Sequence, residues 1–172
     1  QIVKRPVVTT VEVLAGPIVG TERSHLMTGY VHKPYPPVYS MLARHAGFHS
    51  CVLVRGVEGG VVPSLRQPGR LVRYSGDGVD ESVELDPSTL GITSDLRAAP
   101  FPPDLPTREP ADGVGMNVET DAVAQACAQA GLAALDGALG PARDALVYAG
   151  AIALWHTHKA DTLVAGADAI RQ

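Results

Sequence analysis

The fold turns on the stretch from His25 to Val54, which begins His25-Leu26-Met27-Thr28-Gly29-Tyr30-Val31 and ends Cys51-Val52-Leu53-Val54. Its opening reads as a strand. Lys33-Pro34-Tyr35-Pro36-Pro37 then forms a rigid turn that opens a helix, because proline is tolerated where a first helical turn has no amide to satisfy. From Val38 to Ala46, Val38, Met41, Leu42 and His45 fall at i, i+3, i+4 and i+7, one helical face closed by Gly47. Cys51–Val54 is a short apolar run of the kind that suits a strand buried on both faces. Residues 25–54 therefore predict a strand, helix, strand unit of a parallel sheet.

Working outward, Leu71-Val72-Arg73-Tyr74 and Ser82-Val83-Glu84-Leu85 flank Gly76-Asp77-Gly78 and predict a hairpin whose turn admits positive φ. Asp86–Leu90 reads as a helical turn. Residues 97–116 contain five prolines and read as an extended surface connection. Three Ala-rich helices are predicted over 118–137, 141–157 and 160–171. Pro141 stands in a first turn, and Leu163, Val164, Ala167 and Ile170 make one apolar stripe. Residues 7–14 fit a strand and a short buried helix equally well. The predicted class is α/β: a parallel sheet flanked by helices, with a β-hairpin insertion and three carboxy-terminal helices.

The chain has 172 residues, 45% of them apolar, which fits one soluble globular domain. No apolar run approaches the roughly 20 residues of a membrane span, and the residues after Gln1 do not resemble a secretion signal. A start inside a longer protein and a cytoplasmic location are expected. Cys51 and Cys127 are read as small buried thiols, with a disulfide as the alternative. Residues 1–73 carry nine Lys/Arg against three Asp/Glu, and residues 74–172 carry five against fifteen, giving +6 and −10. Such asymmetry suits a basic face for phosphates or nucleic acid, and equally two ordinary solvated faces.

Gly29-Tyr30-Val31-His32, the helix and strand that follow, and Gly56-Val57-Glu58-Gly59-Gly60-Val61-Val62 resemble the anthranilate phosphoribosyltransferase family, in order and in the spacing from His32 to Gly56. Gly140-Pro141-Ala142-Arg143-Asp144 and Lys159-Ala160-Asp161 resemble the same family's last helices. The resemblance implies that residues 1–172 are the carboxy-terminal part of a glycosyltransferase family three α/β domain. The amino-terminal helical domain and the donor-binding half of the sheet would then lie elsewhere, as a missing partner half. The family's donor motifs, a Gly-Thr-Gly-Gly-Asp loop and an Asn-x-Ser-Thr segment, do not occur here.

By the same resemblance, Arg5 stands where an arginine contacts the anthranilate carboxylate, a task its paired donors suit. His32 stands at a ligand-facing strand end, and Gly56, Glu58 and Gly59 form the ligand loop. These are the substrate-binding candidates; no catalytic residue is assigned. Val61 and Val62 occupy positions where the family has two acids that help hold magnesium on pyrophosphate. Valines supply no hard oxygen ligand, so no metal site is expected and the chain is read as inactive on its own. Magnesium belongs only to a complete family enzyme.

Arg55, Arg66, Arg70 and Arg73 suggest an alternative, a nucleic-acid-binding protein on the same fold, resembling a branch without known transferase activity. A third reading is a structural, homodimer-forming part. Asp77, Asp80, Glu81, Glu84 and Asp86 are read as an exposed acidic face, and His156 and His158 as a solvated pair at a helix end.

Overall fold

Ser50–Val54 forms β2, and every one of its residues is buried. Strand alternation sends Cys51 and Leu53 to one side and Val52 and Val54 to the other, and both sides are covered. This is why the run carries no polar alternation. The computed structural model describes residues 12–16, 18–103, 105–106 and 119–172. Arg5, residues 7–11 of the ambiguous amino-terminal segment and residues 107–116 of the proline-rich connection fall outside them.

β1, His25–Gly29, pairs in parallel with β2 in the register Leu26 to Cys51 and Thr28 to Leu53. The connecting helix α1 spans Tyr35–His45, with proline in its first turn. It ends as the sequence predicts: Gly47 has φ 86°, and the Phe48 amide donates to the Ala43 carbonyl at 3.1 Å. Its buried side, however, is Pro36, Tyr39, Ser40 and Ala43, while Val38 and Met41 are exposed at 43% and 61%. The apolar spacing therefore marks the wrong face. Tyr39 and Ser40 displace it, because the tyrosine ring packs against the sheet and the serine hydroxyl finds a partner on the hairpin.

β3, Gly69–Ser75, and β4, Glu81–Leu85, make the expected hairpin around Gly76, whose φ is 54°. The sheet order is β1-β2-β3-β4. β2 with β3 and β3 with β4 are antiparallel. The sheet is thus mixed, with only its first pair parallel, and the hairpin is half of the sheet rather than an insertion beside it. Val54 already faces Leu71 across the ladder, so the hairpin closes the core that β2 opens.

Three helices follow: α2, Thr120–Leu135; α3, Pro141–His156; and α4, Leu163–Arg171. Val147, Tyr148, Ala151 and Ile152 of α3 pack on Val52, Val54, Leu71 and Leu85. In α4, Gly166 lies against the Ala151 backbone, and Ala167 is buried while Val164 and Ile170 are 47% and 40% exposed. The predicted α4 stripe is therefore rotated, because a small-residue contact sets the helices close together. On the opposite face of the sheet, Tyr39 and Ala43 of α1 pack with Leu53, Tyr74 and Leu14. Glu12–Leu14 is a short 3-10 helix, and Leu14 is buried. Among the described residues no helix is long and apolar enough to cross a membrane.

Candidate ligand cleft at the strand ends

Two glycines build the site. An alanine Cβ at Gly29, the last residue of β1, would overlap the carbonyl oxygens of Gly59 and Gly60. At Gly56, just beyond β2, it would overlap the Gly60 carbonyl. The end of β1 and the loop after β2 are thus in backbone contact, which only residues without a side chain permit. The loop is fixed internally as well: the Val57 amide donates to the Val62 carbonyl at 2.9 Å, and the Gly60 amide to the Val57 carbonyl at 2.9 Å.

Above this contact lies a cleft of about 310 Å³, lined by Tyr30, His32, Tyr35, Tyr39, Glu58 and Gly59 among others. It opens at the carboxyl ends of the parallel pair, where the crevice of such sheets is expected. Tyr35 and Tyr39, one helical turn apart on α1, stack at 5.6 Å with their planes 14° apart, and the His32 ring meets Tyr35 edge-on at 5.5 Å. Burial raises the pKa of Tyr30, against the lowering pull of Arg55 and Arg70. An aromatic wall with one carboxylate suits a small flat molecule carrying a hydrogen-bond donor.

The structure brings His32, Glu58 and Gly59 into one cleft; Gly56 supports it from behind and lines a neighbouring pocket. The tyrosines were missed from the sequence. Their i, i+4 spacing was the available signal, hidden by the stronger apolar pattern of Val38 and Met41.

Glu58 has φ 51° and ψ 25°, left-handed for a residue with a side chain. That conformation costs on the order of 1 kcal/mol. Glu58→Gly should therefore stabilise the fold by up to about 1 kcal/mol, seen as a melting temperature higher by roughly 2–4 °C. A drop in melting temperature would show that the carboxylate holds the loop.

Val61 and Val62, which stand where the resemblance would place metal-binding acids, supply no oxygen ligand to magnesium. Val61 and Val62 are half-buried, Val62 packs against the main core, and Glu58 is the one carboxylate within 56–62. Of the arginine set, Arg70 reaches Glu84 at 3.7 Å and Arg73 reaches Glu81 at 3.5 Å. Arg73 also lies over the Trp155 ring at 4.2 Å, which takes it out of any free basic surface. Arg55 and Arg66 are exposed, with no carboxylate within bonding distance among the described residues. Asp80 is not simply solvated: it accepts from Ser40 Oγ at 2.6 Å and from Arg44 at 2.8 Å, tying α1 to the hairpin.

His156 also departs from expectation. It is 2% exposed, and its Nε2 lies 2.8 Å from Ser50 Oγ, which lies 2.7 Å from His25 Nδ1. The solvated-pair reading holds only for His158, which is exposed. Cys51 is buried, and burial pushes its thiol up to about 12, whereas Cys127 is exposed; both are unpaired.

No protein-family model matches the chain, and no curated protein matches it significantly. Among solved structures, the chain is similar to anthranilate phosphoribosyltransferase from Thermus thermophilus, with a TM-score of 0.48 and 17% sequence identity. The likeness is one of fold alone. It covers 81% of this chain and 35% of that one, so the chain spans about a third of the length of the protein it resembles.

Proposed function

We propose that this chain is the acceptor-binding part of a phosphoribosyltransferase-like protein, and that it receives a small planar ring in the cleft but does not catalyse transfer alone. The observation that carries this reading is the cleft itself: stacked Tyr35 and Tyr39, His32 and Glu58 converge at the ends of a parallel strand pair. The sequence motifs at Gly29–His32 and Gly56–Gly60 support the same assignment, and Arg5 is the proposed partner of a ring-bound carboxylate. In a complete protein of this kind, catalysis would consist of holding the acceptor beside the anomeric carbon and stabilising the departing charge. The loop here contributes only the holding, since no acid stands at Val61 or Val62. A donor-binding half outside residues 1–172 is the proposed partner, and β1, at the edge of the sheet, is where further strands would add. A cytoplasmic location and a homodimer belong to the same proposal.

Calorimetric titration with anthranilate and related planar aromatic acids tests it. Binding is expected, and Tyr35→Ala should weaken it roughly tenfold by removing the stacking wall. Equal affinity in wild type and Tyr35→Ala would contradict the reading. Adding magnesium and phosphoribosyl pyrophosphate should yield no turnover by this chain.

Nucleic-acid binding is a second reading. Arg55 and Arg66, exposed and without an ion-pair partner among the described residues, favour it, whereas Arg70 and Arg73 are engaged by hairpin acids. Affinity for single-stranded DNA that falls steeply with salt would support it.

A further inference from the structure

Behind the loop that walls the aromatic cleft is a second, smaller pocket of about 140 Å³, lined by Arg55, Gly56, Ser64, Gln67, Gly69 and Arg97 among others. Its character is opposite to that of the cleft: Arg55, Arg97, Ser64 and Gln67 are among its lining residues, and no acidic or aromatic residue is. Neither Arg55 nor Arg97 has a carboxylate within ion-pairing distance among the described residues.

The backbones that present these groups are pinned. The Arg55 amide donates to the Arg70 carbonyl at 3.0 Å, continuing the β2–β3 ladder. The Arg97 carbonyl accepts from the Leu65 amide at 3.0 Å, and Leu65 is fully buried, so Arg97 is fastened to the core although it lies 42 positions from Arg55 in sequence. Ser64 is 8% exposed; its Oγ accepts from the Arg66 amide at 3.3 Å, which leaves its hydroxyl proton to donate. We propose that Arg55 and Arg97, with Ser64 and Gln67, form a binding site for a phosphate-class oxyanion. Two arginines that different segments bring to one pocket offer planar, paired donors to such an anion. The site and the cleft share no lining residue, so it stands independently of the ring-binding reading.

The test is titration of the intact chain at low salt with inorganic pyrophosphate, inorganic phosphate and a short oligothymidylate. Arg97→Ala and Arg55→Ala should each weaken anion binding roughly tenfold, with Arg97→Lys recovering part of the loss. Both side chains are exposed, and truncation leaves the backbone bonds in place, so circular dichroism should not change. The source of the anion is read from the probes. Pyrophosphate binding that is insensitive to Arg66→Ala points to a free phosphate compound. Oligothymidylate binding that Arg66→Ala also weakens, with a steep salt dependence, points to a nucleic-acid backbone. Either result upholds the site when Arg97→Ala weakens it. The proposal is overturned if no probe binds at about 10 mM, or if binding survives both Arg55→Ala and Arg97→Ala.

Discussion

Gly56→Ala is expected to destabilise the protein by about 3 kcal/mol. Gly56 itself has φ −83° and ψ 169°, extended backbone that alanine adopts readily. The cost comes from space alone. The new Cβ would overlap the Gly60 carbonyl and stand 3.0 Å from the Val62 carbonyl oxygen, and both obstacles are backbone held by hydrogen bonds. No side chain can rotate away, so the loop or the end of β2 must shift. Gly47→Ala is the informative contrast. Gly47 has φ 86° but nothing within 4 Å of an added Cβ, so only its conformation is penalised, at about 1 kcal/mol. Urea unfolding of the two variants should show the larger loss at Gly56, and Gly29→Ala should resemble Gly56→Ala. Equal losses at Gly47 and Gly56 would mean that the loop does not press on the strand end.

Acid should weaken the fold through His156, by on the order of 3 kcal/mol between pH 6.5 and 4. Burial, reinforced by Arg73, His25 and His158, pushes its pKa from 6.5 down to about 4. The sign follows from proton uptake. Below pH 6.5 the unfolded chain gains a proton that the folded chain refuses, so the stability present above that pH is lost as pH falls, and the loss levels off near 4. The hydrogen bonds explain the refusal. Ser50 has one hydroxyl proton to share between two rings, so His156 Nε2–H donating to Ser50 Oγ, and Ser50 donating to His25 Nδ1, makes both hydrogen bonds with both rings neutral. A second proton on His156 would sit on Nδ1, which is buried and has no partner among the described residues. His25 is pushed the same way, by burial first and then by His49, Arg23 and His158. Denaturant midpoints at pH 7, 6 and 5 should fall steadily in the wild type and much less in His156→Leu. Parallel declines in the two proteins would remove His156 as the cause.

Much of the fold was legible because local and tertiary signals agree at β2, at the Gly76 turn and at Pro141. The short run Cys51–Val54 is apolar throughout since α1 covers one side and α3 the other. The reading failed where a pattern has two physical causes. On α1, Val38 and Met41 keep helical spacing but stay exposed, while Tyr39 and Ser40 are buried by contacts that residue type alone does not announce. His156 was misread for a similar reason: a histidine at a helix end is usually solvated, and its long-range partner Ser50 is invisible in the local sequence. The arginine set divides in the structure, because two of its four members are engaged by acids. Arg70 and Arg73 alternate with acids across the hairpin register, opposite Glu84 and Glu81, so pairing them required the strand partnership. Arg97 reaches its pocket only through the connection beyond β4, which no motif marks.

In the proposed function, a planar ring enters the cleft between the end of β1 and the Gly56–Gly60 loop. Amide chemical shifts of the isotope-labelled chain, followed during titration with anthranilate, test it most directly. Saturable shifts are expected at Gly29, His32, Tyr35, Glu58 and Gly59, with α2 and α4 unmoved. Shifts absent from those residues at saturating ligand, or confined to the helical layer around Leu146 and Arg171, would contradict it.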